Sequence, residues 1–195
     1  MRMNLSPRTR LRLLGVLPLL FFIAQGYHYW STNELGHMFW MCNLGNLILA
    51  LGLFFEKPVV IRLAAIWTIP GLIIWFLYVV LTWGVFFTST LAHVGGLAVA
   101  AVAIKTYRMD RRSWRYAFGW YLAVQLISRF FTAPVLNVNL AHSIQPGWER
   151  TFSSYWVFWL TLTITTATGL WLSGLLWRTL CPTEESSPRA AINSF

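Results

Sequence analysis

A guanidinium, an imidazole and a thiol lie inside apolar stretches of this 195-residue chain. Arg129 falls in the run 117–136, His93 in 85–104 and Cys42 in 35–55. At 1.5 Å of rise per residue, helices over these runs place Cys42 and Arg129 about 10 Å, and His93 about 12 Å, below the same end. A charge in hydrocarbon costs several kcal/mol, so Arg129 is expected to face inward and hold an anion or carboxylate. The alternative is that it snorkels or binds backbone carbonyls. Gln125, Ser128, Arg129 and Thr132 share one helical face. Asn43 and Asn46 flank Cys42, and Gln25 and His28 reach the same level from the first run. These positions predict one polar cavity lined by Cys42, His93 and Arg129. The loop from Asn137 through Asn139 and His142 to Arg150 would be its lid, or simply a polar loop.

The four histidines, His28, His37, His93 and His142, all fall in the same half of the expected bundle. Two of them as ligands to a haem or a divalent metal is the alternative chemistry. Glu34 and His37 have the Glu-x-x-His spacing of di-iron bundles, but those need a second such pair and further carboxylates. No cofactor is therefore expected. The two cysteines, Cys42 and Cys181, form no CxxC pair.

The elements that must position these groups are membrane helices. The chain is 57% apolar and 11% charged, against about 45–50% and about 25% in soluble domains. Its mean hydropathy is +0.57. An ordinary soluble enzyme and a disordered chain are excluded. Six runs approach the roughly 20 residues needed to cross hydrocarbon: 13–30, 35–55, 63–83, 85–104, 117–136 and 153–177. The expected architecture is all-α: a multi-pass bundle of about six transmembrane helices over 13–178, a basic segment 1–12 and a loose tail 179–195. Pro70-Gly71 should kink the third helix.

The formal charge of +9 suits topology better than nucleic acid, which is not an expected partner. Thirteen of the fifteen Lys and Arg fall in the N-terminus, the second-to-third and fourth-to-fifth connections and the tail, while Arg150 falls on the other side. Both termini are thus expected in the cytoplasm. Trp30, Trp83, Trp148 and Trp156 fall at the outer interface, where indoles prefer to sit. The expected location is a bacterial inner membrane or a plasma membrane, with membrane lipid as the partner; the pattern names no protein partner.

Trp40-Met41-Cys42-Asn43-Leu44, Ile69-Pro70-Gly71, Leu91-Ala92-His93-Val94-Gly95 and Asn137-Val138-Asn139 follow one another in a familiar order. From Leu35 to Ser143 the chain resembles the YwaF-like, transmembrane-protein-164-like family of six-span membrane proteins. That family is similar in architecture to the androgen-induced fatty-acid-ester hydrolases. Where it has His-Leu-Cys, this chain has Trp40-Met41-Cys42. The resemblance implies acyl transfer or ester cleavage on lipids through a thioester on Cys42. His93 would be the base that a weakly acidic buried thiol requires. Asn43, Asn46 and Arg129 would be the candidates to stabilise the oxyanion. The competing reading is a non-catalytic membrane protein that binds a lipid or a partner.

Overall fold

A computed structural model describes residues 6–82, 84 and 86–182, and among these all regular structure is helical. The chain order is α1 (Pro7–Leu14), α2 (Val16–Ser31), α3 (Met41–Phe54), α4 (Pro58–Thr82), α5 (Phe87–Thr90), α6 (Gly96–Tyr107), α7 (Ser113–Phe131) and α8 (Tyr155–Leu180). The expected span boundaries at Trp83 and Val85, residues 1–5 and the tail from 183 onward lie outside the described residues.

Four helical stretches are long and apolar enough to cross a membrane: Arg8–Ser31, Pro58–Thr82, Phe87–Tyr107 and Tyr155–Leu180. The chain is thus membrane-embedded in character. The remaining two expected spans are cut back. The run 35–55 is α-helical only from Met41, because Leu35–Phe39 forms a 3-10 turn. The run 117–136 leaves the α-helix after Phe131 and passes into 3-10 turns at Pro134–Leu136 and Val138–Leu140. Hydropathy extends across both turns, which is why the runs read longer than the helices. Cys42 is therefore the second residue of its helix, and Arg129 lies two residues from the end of its own. The expected depth of about 10 Å is corrected for both.

Helix α4 is the central element, packed against α3, α6, α7 and α8. Its first half is buried from Ile61 to Trp67 except at Arg62 and Leu63. Ala64 and Ala65 on α4 and Ala100 and Ala103 on α6 have no exposed surface. Small residues there let the helices approach closely, the usual basis of association in membranes. The helix continues through Pro70. A proline there removes one backbone donor.

Three contacts define one end of the bundle. Arg12 pairs with Glu56 at 2.7 Å, joining α1 to the end of α3. Arg62 donates to the carbonyls of Tyr107 and Arg108 at 2.7 and 2.6 Å, capping α6 from α4. Arg108 donates to the carbonyl of Pro182, beyond α8. At the opposite end the His28 ring lies 5.0 Å from that of Phe86, and residues 134–142 fold against α3, α7 and α8.

Candidate functional site

Helix α3 begins at Met41, and the preceding Trp40, whose backbone is non-helical, makes no side-chain capping bond. The first turn of any helix leaves backbone N–H groups unpaired. Here the N–H of Met41 donates to Asn139 Oδ1 at 3.0 Å, and those of Asn43 and Leu44 donate to the Trp40 carbonyl. The backbone N–H groups of Cys42 and Asn43 point toward the Cys42 sulfur.

Cys42 opens onto a cavity of about 20 Å³, room for roughly one water molecule. Gly45, Asn46 and Leu49 of α3 line it, with Trp67, Thr68 and Gly71 of α4 and with Ala92 and His93. His93 reaches it from an unusual element: Leu91–Gly95 is a single π-helical turn between α5 and α6. Such bulges occur often at functional sites because they re-aim side chains that a regular helix would fix. His93 Nδ1 lies 2.8 Å from the Ser89 carbonyl oxygen. A carbonyl can only accept, so Nδ1 carries the proton, and Nε2 of the neutral ring keeps a free lone pair. Trp75 stacks on the ring at 5.6 Å and 18°.

Gly71 stands between the two groups. A Cβ there would lie 3.8 Å from Cys42 Cβ and 3.9 Å from His93 Cδ2. The thiol and the imidazole therefore flank one small space. They make no direct hydrogen bond, although the mechanism implied by the resemblance requires their atoms to meet.

The expected oxyanion donors are placed otherwise. Asn43 donates through Nδ2 to the His37 carbonyl at 2.9 Å. Asn46 donates to the carbonyls of Cys42 and Ala92, both at 3.0 Å, which ties α3 to the π-turn. Both amide oxygens are buried without a partner. An alanine at Gly96 would put its Cβ 2.7 Å from Asn46 Oδ1, so glycine permits this packing.

Arg129 does not line the cavity, a correction to the expected three-residue site. Its Nη1 donates to the Ala141 carbonyl at 2.6 Å, and its guanidinium lies 5.3 and 5.9 Å from the rings of Tyr155 and Trp156. It takes the backbone-carbonyl alternative because α7 ends so near it. Gln125, Asn137, Asn139 and His142 form a structural knot beside it. Gln125 donates to the Asn139 carbonyl at 2.6 Å. Asn139 Nδ2 donates to Phe39 O and Ser128 Oγ at 2.7 and 2.8 Å. Asn137 Oδ1 accepts from the N–H groups of His142 and Ser143. His142 Nε2 lies 3.2 Å from both Ser128 O and Thr132 Oγ1. None of the four borders the cavity.

The remaining histidines stand apart. His37 Nδ1 accepts the Trp40 indole N–H at 2.9 Å, so its lone pair is occupied. His28 packs among the rings of Tyr29 and Phe86. Among the described residues no group of three His, Cys, Asp or Glu is placed to hold a metal ion.

Residue spacing puts Ser89 on the face of His93 but did not reveal Trp75 or Gly71 as parts of the site. The pair Gly95-Gly96, at the end of the π-turn, was the available signal. No family model, curated protein or solved structure matches the chain.

Proposed function

We propose that this is a six-span membrane protein, both termini cytoplasmic, that transfers or hydrolyses acyl groups of membrane lipids through a thioester on Cys42. The observation that carries this reading is the shared cavity of Cys42 and His93, with His93 Nδ1 tied to Ser89 and Nε2 left free. The resemblance to the YwaF-like family points the same way. Six spans are supported by the path of the chain, which runs between the two ends of the bundle along α1–α2, α3, α4, α5–α6, α7 and α8.

His93 Nε2 takes the Cys42 proton and the thiolate attacks the ester carbonyl. The Cys42 N–H, beside the sulfur in the first turn of α3, is the candidate donor to the oxyanion. The C–O bond breaks, and the leaving alkoxide takes the proton back from His93. Water or an acceptor alcohol, deprotonated by His93, then cleaves the thioester and restores the thiol. The cavity admits a carbonyl group in place of one water, so the acyl chain lies outside it among membrane lipid.

Incubation of the purified protein with a long-chain activated ester should give a hydroxylamine-sensitive acyl adduct on Cys42. Cys42→Ser should lose the thioester, and His93→Ala should reduce it by at least about a hundredfold, the lower range for general-base catalysis. The double variant should be no worse than Cys42→Ser alone, because the two groups act as a unit. Full turnover by Cys42→Ala would overturn the reading.

A further inference from the structure

Arg129 is a cation with no carboxylate partner among the described residues, set in an exposed apolar surface. Of its five N–H donors, one serves the Ala141 carbonyl and another the Tyr155 hydroxyl, and the rings of Tyr155 and Trp156 lie against the guanidinium. Around it Phe130 and Phe131 are both 76% exposed. One turn back along α7, Leu126 is exposed, and on α8 so are Trp156, Leu160 and Ile164, spaced by four residues on one face. Helices α7 and α8 pack together, with Arg129 at the end of one and Trp156 at the start of the other. The surface thus has a donor-rich head at the bundle end and an apolar track leading away from it. Trp148 and Trp156, both exposed, mark this end as interfacial in character.

We propose that this surface binds one phospholipid: Arg129 takes the phosphate, and the exposed faces of α7 and α8 take an acyl chain. A guanidinium matches a phosphate with two parallel N–H···O bonds, and the lipid phosphate is the anion a bilayer offers at this level. Binding also removes the cost of a cation with unused donors beside hydrocarbon. The site lies apart from the Cys42 cavity. It rests on the chain lying in a bilayer and is independent of any acyl chemistry.

Native mass spectrometry of the detergent-purified full chain tests it. The probes are phosphatidylglycerol, a diacylglycerol with the same chains, and inorganic phosphate. Wild type should retain phosphatidylglycerol, and Arg129→Gln should weaken that binding about tenfold or more, as expected for a lost charge-assisted bond. Because that substitution also removes the bond to Ala141, Leu126→Glu is the second variant. It leaves that bond in place and sets a carboxylate one turn from Arg129, which should displace the lipid to a similar degree. Diacylglycerol and inorganic phosphate should each bind at least tenfold more weakly than phosphatidylglycerol. Equal binding of diacylglycerol would show a purely apolar surface, and equal binding of inorganic phosphate a bare anion site. Either result, or wild-type retention by both variants, overturns the proposal.

Discussion

At Gly71 a methyl group would stand at ordinary contact distance from both Cys42 and His93. That makes Gly71→Ala a selective probe of the space between them. In a helix interior alanine is favoured over glycine by up to about 1 kcal/mol, and nothing here clashes with the added carbon. The variant is expected to unfold at the same temperature as wild type or higher. The methyl would fill room that holds about one water, so acylation of Cys42 should fall at least about tenfold. Thermal unfolding in detergent, read beside adduct formation, separates the two effects; unchanged acylation would deny the cavity any part in the reaction. Cys42 and His93 were legible as residues because a thiol and an imidazole are conspicuous in apolar runs. Arg129 was equally conspicuous, yet it lies elsewhere. Depth along a helix fixes a level, but the level alone does not say which side chains share a space.

Among the elements, the turns 134–142 hold the start of α3 in place. Asn137, Asn139 and Leu140 have φ of 40°, 54° and 57°, a left-handed conformation that asparagine tolerates better than most residues. In this shape Asn139 reaches Met41, Phe39 and Ser128 with three side-chain hydrogen bonds. It supplies from 98 residues away the cap that Trp40 lacks. Buried bonds of this kind contribute about 1 kcal/mol each, so Asn139→Ala should destabilise the fold by about 3 kcal/mol. The freed first turn should also expose Cys42 to alkylation. Unfolding in a denaturing detergent and the rate of maleimide labelling check the two consequences, and no change in either would refute the capping role. This part of the molecule was hidden in the sequence for a physical reason. Hydropathy cannot separate an α-helix from a 3-10 turn of the same composition, so Leu35–Phe39 and Pro134–Leu136 were read as helix. A cap supplied across the bundle leaves no local motif, and a π-turn differs from α-helix by one residue of register. The long apolar helices α4 and α8 were plain, because each carries its own continuous signal.

At the scale of the whole molecule the charge pattern and the packing coincide. The basic segments are separated in sequence, yet the Arg12–Glu56 pair, the Arg62 cap on α6 and the Arg108 bond to Pro182 gather them at one end. Lys57, Lys105, Arg111, Arg112 and Arg115 lie in or beside the same connections. The opposite end has Arg150 and the exposed Trp30, Trp148 and Trp156. An excess of Lys and Arg in short connections retains those connections in the cytoplasm. The proposed orientation has the basic end inside, with the Cys42 cavity and Arg129 toward the outer half. Reporter fusions at Arg111 and after Pro182 should therefore read as cytoplasmic, and a fusion at Gln145 as external. Moving the charge should move the topology: replacing Arg111, Arg112 and Arg115 by glutamine should yield a mixed signal at Gln145. An external reading at Arg111 in the unaltered chain would invert the bundle. It would place the Cys42 cavity in the inner half and assign Arg129 to the phosphates of the inner leaflet.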